Sequence, residues 1–157
     1  MGKLEGKVAL VTGGNRGIGK AIARALASEG AALTLAARGA DALSETAREI
    51  AYEFGVEVLD VPTNVADEAQ VDVLFARARE RHGCLDILIN NAGAFDGGPI
   101  EDITMEAWNN VVGACLTGPF LCTRSAFRTM KEQGGGRIIN IGSISAQMPR
   151  MYSVPYT

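Results

Sequence analysis

Between residues 12 and 19 the chain reads Thr12-Gly13-Gly14-Asn15-Arg16-Gly17-Ile18-Gly19. The glycines at 13, 17 and 19 have a spacing suited to holding an anion. Gly13 permits a tight turn, Gly17 lets backbone approach a pyrophosphate, and Gly19 lets a following helix pack closely on a sheet. A helix starting here presents free N–H groups and the positive end of its dipole to the anion. The spacing is GxxxGxG where the common dinucleotide fingerprint is GxGxxG, but the physical requirements are the same. Taken alone, such a turn also fits a flexible strand–helix loop or the turn of a methyltransferase.

A cofactor with a free ribose 2′-hydroxyl meets an acidic side chain about twenty residues after the glycines. Here Ala36-Ala37-Arg38 stands there, and Arg16 inside the turn is a second cation for the same corner. Each arginine alone reads equally as a solvated surface charge. Two guanidiniums and no adjacent carboxylate suit a 2′-phosphate, which arginine binds bidentately. The expected cofactor is therefore NADP(H) in preference to NAD(H).

Short apolar runs alternating with helix-period segments must position these residues. Val8–Val11 reads as a first strand and Gly17–Ser28 as a helix with Ile18, Ile22, Ala25 and Leu26 on one face. Ala32–Ala37 is a second strand, Asp41–Phe54 a helix, and Val56–Leu59 a third strand. Asp67–Arg81 has Val71, Leu74, Phe75 and Ala78 on one stripe behind Asp67 as N-cap. Ile87–Ile89 is a fourth strand. Thr104 caps a helix running from Met105 to about Gln133, with a kink expected at Gly118-Pro119 because proline lacks the donor and crowds the preceding turn. Ile138–Ile141 is a fifth strand, and 145–157 reads as loop. Alternation without hairpin signals predicts one α/β domain, a parallel sheet wound with helices on both faces.

Composition narrows the function. The 157 residues carry a formal net charge of −3, which argues against a nucleic-acid partner held by phosphate neutralisation. Three cysteines without a CxxC pair and a single histidine argue against a zinc site and favour a reducing, cytoplasmic setting. The uncharged stretch 107–123 is interrupted by Asn109, Asn110, Gly113, Gly118 and Pro119, so no membrane span is expected.

Asn90-Asn91-Ala92-Gly93 follows the fourth strand, and Ser143 stands thirteen residues before Tyr156. With these features the chain resembles the short-chain dehydrogenases/reductases that carry TGxxxGIG, NNAG and an active-site tyrosine. The first two motifs match in full, at 12–19 and 90–93. The resemblance implies a Rossmann fold and an oxidoreductase moving hydride between NADP(H) and a secondary alcohol or ketone. It implies cofactor contacts from Gly13, Asn15, Arg16, Gly17, Ile18, Gly19, Arg38, Asn90, Ala92 and Gly93. Asn64-Val65 falls where the family usually has Asp-Val beside the adenine. Ser143 would hydrogen-bond the substrate oxygen, and Tyr156 would act as acid and base. The resemblance also implies a homodimer or homotetramer through the helix from Met105, with Leu116, Phe120, Phe127 and Met130 offering apolar surface.

Two positions depart from the pattern. Cys115 replaces a helix asparagine that helps hold a water relay, and reads as a small buried residue at a helix kink in preference to a reactive thiol. The lysine four residues after the family's tyrosine falls beyond residue 157. The resemblance thus implies that residues 1–157 are the N-terminal part of a longer family domain, inactive by themselves. The alternatives are a non-catalytic dinucleotide-binding module and, from another class, a methyltransferase.

Overall fold

The computed structural model describes residues 2–157. Strands β1 (Val8–Thr12), β2 (Ala32–Ala37), β3 (Val58–Pro62), β4 (Ile87–Asn90) and β5 (Arg137–Asn140) form one parallel sheet in the order β3-β2-β1-β4-β5. Helices α1 (Gly17–Ser28), α2 (Ala40–Phe54), α3 (Glu68–His82), α4 (Met105–Val112) and α5 (Gly118–Glu132) connect them. Strand alternation assigns the two faces. Ala9 and Val11 pack with Leu33, Leu35 and the inner sides of α1 and α2, while Val8 and Leu10 pack with α3 and α5. Strand order reverses between β1 and β4, which opens a crevice at the carboxyl ends of those strands.

Local sequence accounts for most boundaries. The Asp67 carboxylate accepts from the Gln70 N–H and the Thr104 hydroxyl from the Ala107 N–H, capping α3 and α4. The α3 stripe Val71, Leu74, Phe75 and Ala78 is buried as read.

Three expectations are corrected. The inner face of α1 is Gly19, Ala23 and Ala27, with Ile22 and Leu26 partly packed, whereas Ile18 is 65% exposed and Ala25 faces out. Small residues line this face because the helix lies close against the sheet, so the bulkier stripe is displaced to its flank. The third strand is Val58–Pro62, two to three residues later than Val56–Leu59. Leu33 pairs with Val58 and Ala37 with Pro62, and Pro62 is tolerated because β3 is an edge strand. The long helix breaks in a π-turn, Gly113–Thr117, just before Pro119, which then sits in the first turn of α5. The wide turn accommodates a residue that has no N–H to donate backwards, and such turns recur at functional sites.

The 145–157 segment is irregular, with short 3-10 turns at Ile144–Ala146 and Val154–Tyr156. Among the described residues no helix is long and apolar enough to cross a membrane.

Candidate active site

The glycine-rich turn is built on hydrogen bonds to the sheet. Gly13 has φ +66, which turns the chain so that its N–H donates to the Ala36 carbonyl at 2.6 Å. The Thr46 hydroxyl of α2 donates to the Asn15 carbonyl at 3.1 Å and fixes the far side. Arg16 occupies the N-cap in an extended conformation, and its side chain makes no capping bond. The first N–H groups of α1 are therefore left for an anion. Gly17 has φ +53, and nothing lies within 4 Å of where its Cβ would be. That open space is what a backbone approach to a pyrophosphate requires.

Gly19 lets the start of α1 pack closely against the carboxyl ends of β1 and β4. A Cβ there would collide with the Gly13 carbonyl oxygen and the Asn91 side-chain amide. Asn91 donates from Nδ2 to the Thr12 carbonyl at 3.0 Å and the Gly13 carbonyl at 3.3 Å. Thr12 answers with its hydroxyl, which accepts from the Asn91 and Ala92 N–H groups at 3.0 Å and donates to the Ile89 carbonyl. Two polar side chains thus tie the end of β1 to the end of β4 beneath the turn. The resemblance implies that the Asn91-Ala92-Gly93 turn steadies the central sheet, and these bonds are the means; the part of Thr12 is visible only in the fold.

Around the turn lies a cleft of about 880 Å³, of the size range that small-molecule and cofactor sites occupy. Gly13, Asn15, Arg16, Gly17, Ile18, Gly19, Arg38, Asn64, Val65, Ala92 and Gly93 all line it. Arg16 and Arg38 thus share one cleft, and Ala36 and Ala37 put no carboxylate beside them. The opposite wall is α4, through Glu106, Asn109 and Asn110. That wall was not foreseen, and Glu106 adds a carboxylate to the cleft. The open Gly17 position, the uncapped helix start and the two guanidiniums fit a phosphorylated dinucleotide.

Asn64 and Val65 follow β3. The Asn64 Oδ1 accepts the Ala66 N–H at 3.2 Å, and its own N–H donates to Gln70 Oε1 at 2.8 Å. Asn90 is not on the cleft wall. It is buried, and its Nδ2 donates to Thr123 at 3.1 Å and Asn140 at 2.8 Å. Its place is between β4, α5 and β5.

Ser143 and Tyr156 also stand off the cleft wall. Ser143 is half-buried and caps the turn Ile144–Ala146, its Oγ accepting the Ser145 N–H at 3.2 Å. Tyr156 is half-buried edge-on to Phe95, ring centroids 5.5 Å apart at 74°. The Val154–Tyr156 turn packs against α4, the helix that walls the cleft. The Tyr152 carbonyl accepts the Gly98 N–H at 2.9 Å, joining the loop after β4 to the last segment. A smaller hollow of about 420 Å³ lies there, lined by Phe95, Gly97, Gly98, Pro99, Met151 and Tyr152.

Cys115 is exposed, which corrects its reading as a buried residue. The π-turn swings it outward, and its Sγ donates to the Ala94 carbonyl at 3.4 Å, against the loop that follows the Asn-Ala-Gly turn. Cys122, by contrast, is buried in α5, and burial pushes its thiol up to about 12.

The short-chain dehydrogenase family model matches residues 7–157. An uncharacterized oxidoreductase of Thermotoga maritima is 40% identical over 154 residues, which is 98% of this chain and 60% of the relative. The 3-oxoacyl-acyl-carrier-protein reductase FabG of Aquifex aeolicus is 38% identical over 142 residues, 90% of this chain and 57% of that protein. Among solved structures, the L-sorbose reductase of Gluconobacter frateurii, complexed with NADPH and L-sorbose, superposes with a TM-score of 0.94 at 39% identity. That match covers 99% of this chain and 59% of the other. The chain thus spans about 60% of the length of the relatives it matches. By motif, sheet order and relatedness together, it belongs to the short-chain dehydrogenase family, a family of oxidoreductases with a Rossmann-like fold.

Proposed function

We propose that the chain is the nucleotide-binding part of an NADP(H)-dependent oxidoreductase acting on a secondary alcohol or ketone. The observation that carries this reading is the convergence of Arg16 and Arg38 on one cleft with the uncapped start of α1. The N–H groups of α1 and the open Gly17 backbone hold the pyrophosphate. Arg16 and Arg38 take the 2′-phosphate. Asn64 and Val65 border the adenine, and Ala92 and Gly93 border the inner half of the dinucleotide. When bound, the nicotinamide supplies or accepts the hydride.

Ser143 is proposed to hold the substrate oxygen by hydrogen bonding, and Tyr156 to pass the proton to or from it. A phenol gives up its proton more readily beside a cation, which stabilises the phenolate, and the family resemblance puts that cation on a lysine four positions after Tyr156. We therefore expect residues 1–157 alone to turn over no substrate, and a form extended through a lysine four positions after Tyr156 to do so. Absorbance at 340 nm with NADPH and a panel of ketones tests this, and equal rates in both forms would refute the acid–base pair. The off-cleft positions of Ser143 and Tyr156 favour one second reading, a dinucleotide-binding module without turnover. NADPH binding without turnover in the extended form would select it.

The same reading includes a homodimer or homotetramer formed through the stretch from Met105 to about Lys131, that is α4, the π-turn and α5, and a reducing cytoplasmic setting for the free thiols of Cys84, Cys115 and Cys122.

A further inference from the structure

We propose that Asn110 is a positioning residue for cofactor choice, holding Arg38 across the cleft without neutralising it so that the guanidinium stays available to a 2′-phosphate. This inference rests on the reading of the cleft as an NADP(H) site.

The Arg38 Nη1 donates to Asn110 Oδ1 at 3.5 Å, a contact between residues 72 positions apart. Arg38 leaves the end of β2, and Asn110 lies on α4, so the bond bridges opposite walls of the cleft. The kind of partner matters. Arg24, Arg79, Arg81 and Arg124 each pair with a glutamate: Glu53, Glu132, Glu57 and Glu68. Arg38 is held by a neutral amide, although Glu106, one turn earlier on α4, lines the same cleft.

An amide does two things there that a carboxylate cannot. It orders a long, exposed side chain by accepting one hydrogen bond while leaving the positive charge and the other guanidinium donors free. Its Nδ2 keeps two donors of its own that phosphate oxygens can accept. A carboxylate at the same place would compete with the phosphate for Arg38 and repel the dianion. Asparagine at 110 therefore favours the phosphorylated cofactor through Arg38, and aspartate would penalise it selectively.

The experiment titrates NADPH and NADH, by nicotinamide fluorescence, into the wild-type chain and into Asn110→Asp, Asn110→Ala and Asn110→Gln. Asn110 is exposed, so the fold should persist, and retained NADH affinity reports that it has. The expected result is a loss of tenfold or more in NADPH affinity for Asn110→Asp with NADH within twofold. Asn110→Ala should lose a few-fold for NADPH only, and Asn110→Gln should keep the wild-type preference. Equal weakening of both cofactors in Asn110→Asp, or an unchanged NADPH preference, would overturn the role of Asn110. A wild-type chain that fails to prefer NADPH would instead overturn the NADP(H) reading itself, so the two failures are distinguishable.

Discussion

Removing the Arg38 guanidinium takes away a charged donor that a 2′-phosphate uses and a 2′-hydroxyl does not. A hydrogen bond to a charged group is worth about 1.5–3 kcal/mol, so Arg38→Ala should weaken NADPH roughly ten- to hundredfold and leave NADH nearly unchanged. Equilibrium titration with both cofactors checks this, and equal losses would mean that Arg38 does not meet the 2′-phosphate. A methyl group at Gly19 acts through shape instead. It would press on the Gly13 carbonyl and the Asn91 amide, so Gly19→Ala should cost about 1–3 kcal/mol of stability by overpacking and weaken both cofactors together. Urea unfolding and the same titrations would show it. Residues 12–19 were legible as a turn because they are contiguous, and Arg38 by its distance from them. The α4 wall was not, because Glu106 and Asn110 face the turn only through tertiary packing of a helix some ninety residues further along.

Among the elements, β1 and β4 are fastened at both ends. At the far end from the cleft, Asp86 precedes β4, and its carboxylate accepts from Lys7 Nζ at 2.8 Å and the Val8 N–H at 2.9 Å. Partial burial works against its charge, but the Lys7 ammonium and the Val8 N–H win, and the carboxyl is held below its ordinary value of 3.8. A carboxyl depressed in the fold stabilises it fully above the unfolded value and loses that contribution as pH falls through the folded one. Asp86→Asn should therefore lower the urea midpoint at pH 7, and the gap from wild type should close as pH falls below the ordinary carboxyl value and on through the lower folded one. A gap independent of pH would mean that the carboxylate charge contributes nothing. Elements with caps and a clean stripe, such as α3, were readable from sequence. β3 was displaced because Asp60 and Pro62 look like breakers, and only pairing with β2 recruits them.

For the molecule as a whole, the outer side of the π-turn and α5 is strongly apolar. Leu116 is 68% exposed, Phe120 59% and Phe127 61%, with the Arg124 guanidinium 5.4 Å from the centre of the Phe120 ring. Met130, expected on the same surface, is buried against the Gly136 backbone instead. Covering the other three against a second copy would bury them. Light scattering of the extended form should give a dimer or tetramer, and Leu116→Glu with Phe120→Glu should shift it to monomer. A monomer before any substitution would count against this surface.

The sheet order also divides the molecule by how readily its parts open. The cleft is walled by loops following β1, β2, β3 and β4, and β1 and β2 are paired on both sides. Ser143 and Tyr156 follow β5, which pairs only with β4 and leaves Ile139 42% exposed. Local opening begins where contacts are few. In residues 1–157 the β5 edge should therefore exchange its amide hydrogens sooner than β1 and β2, which a hydrogen-exchange measurement checks.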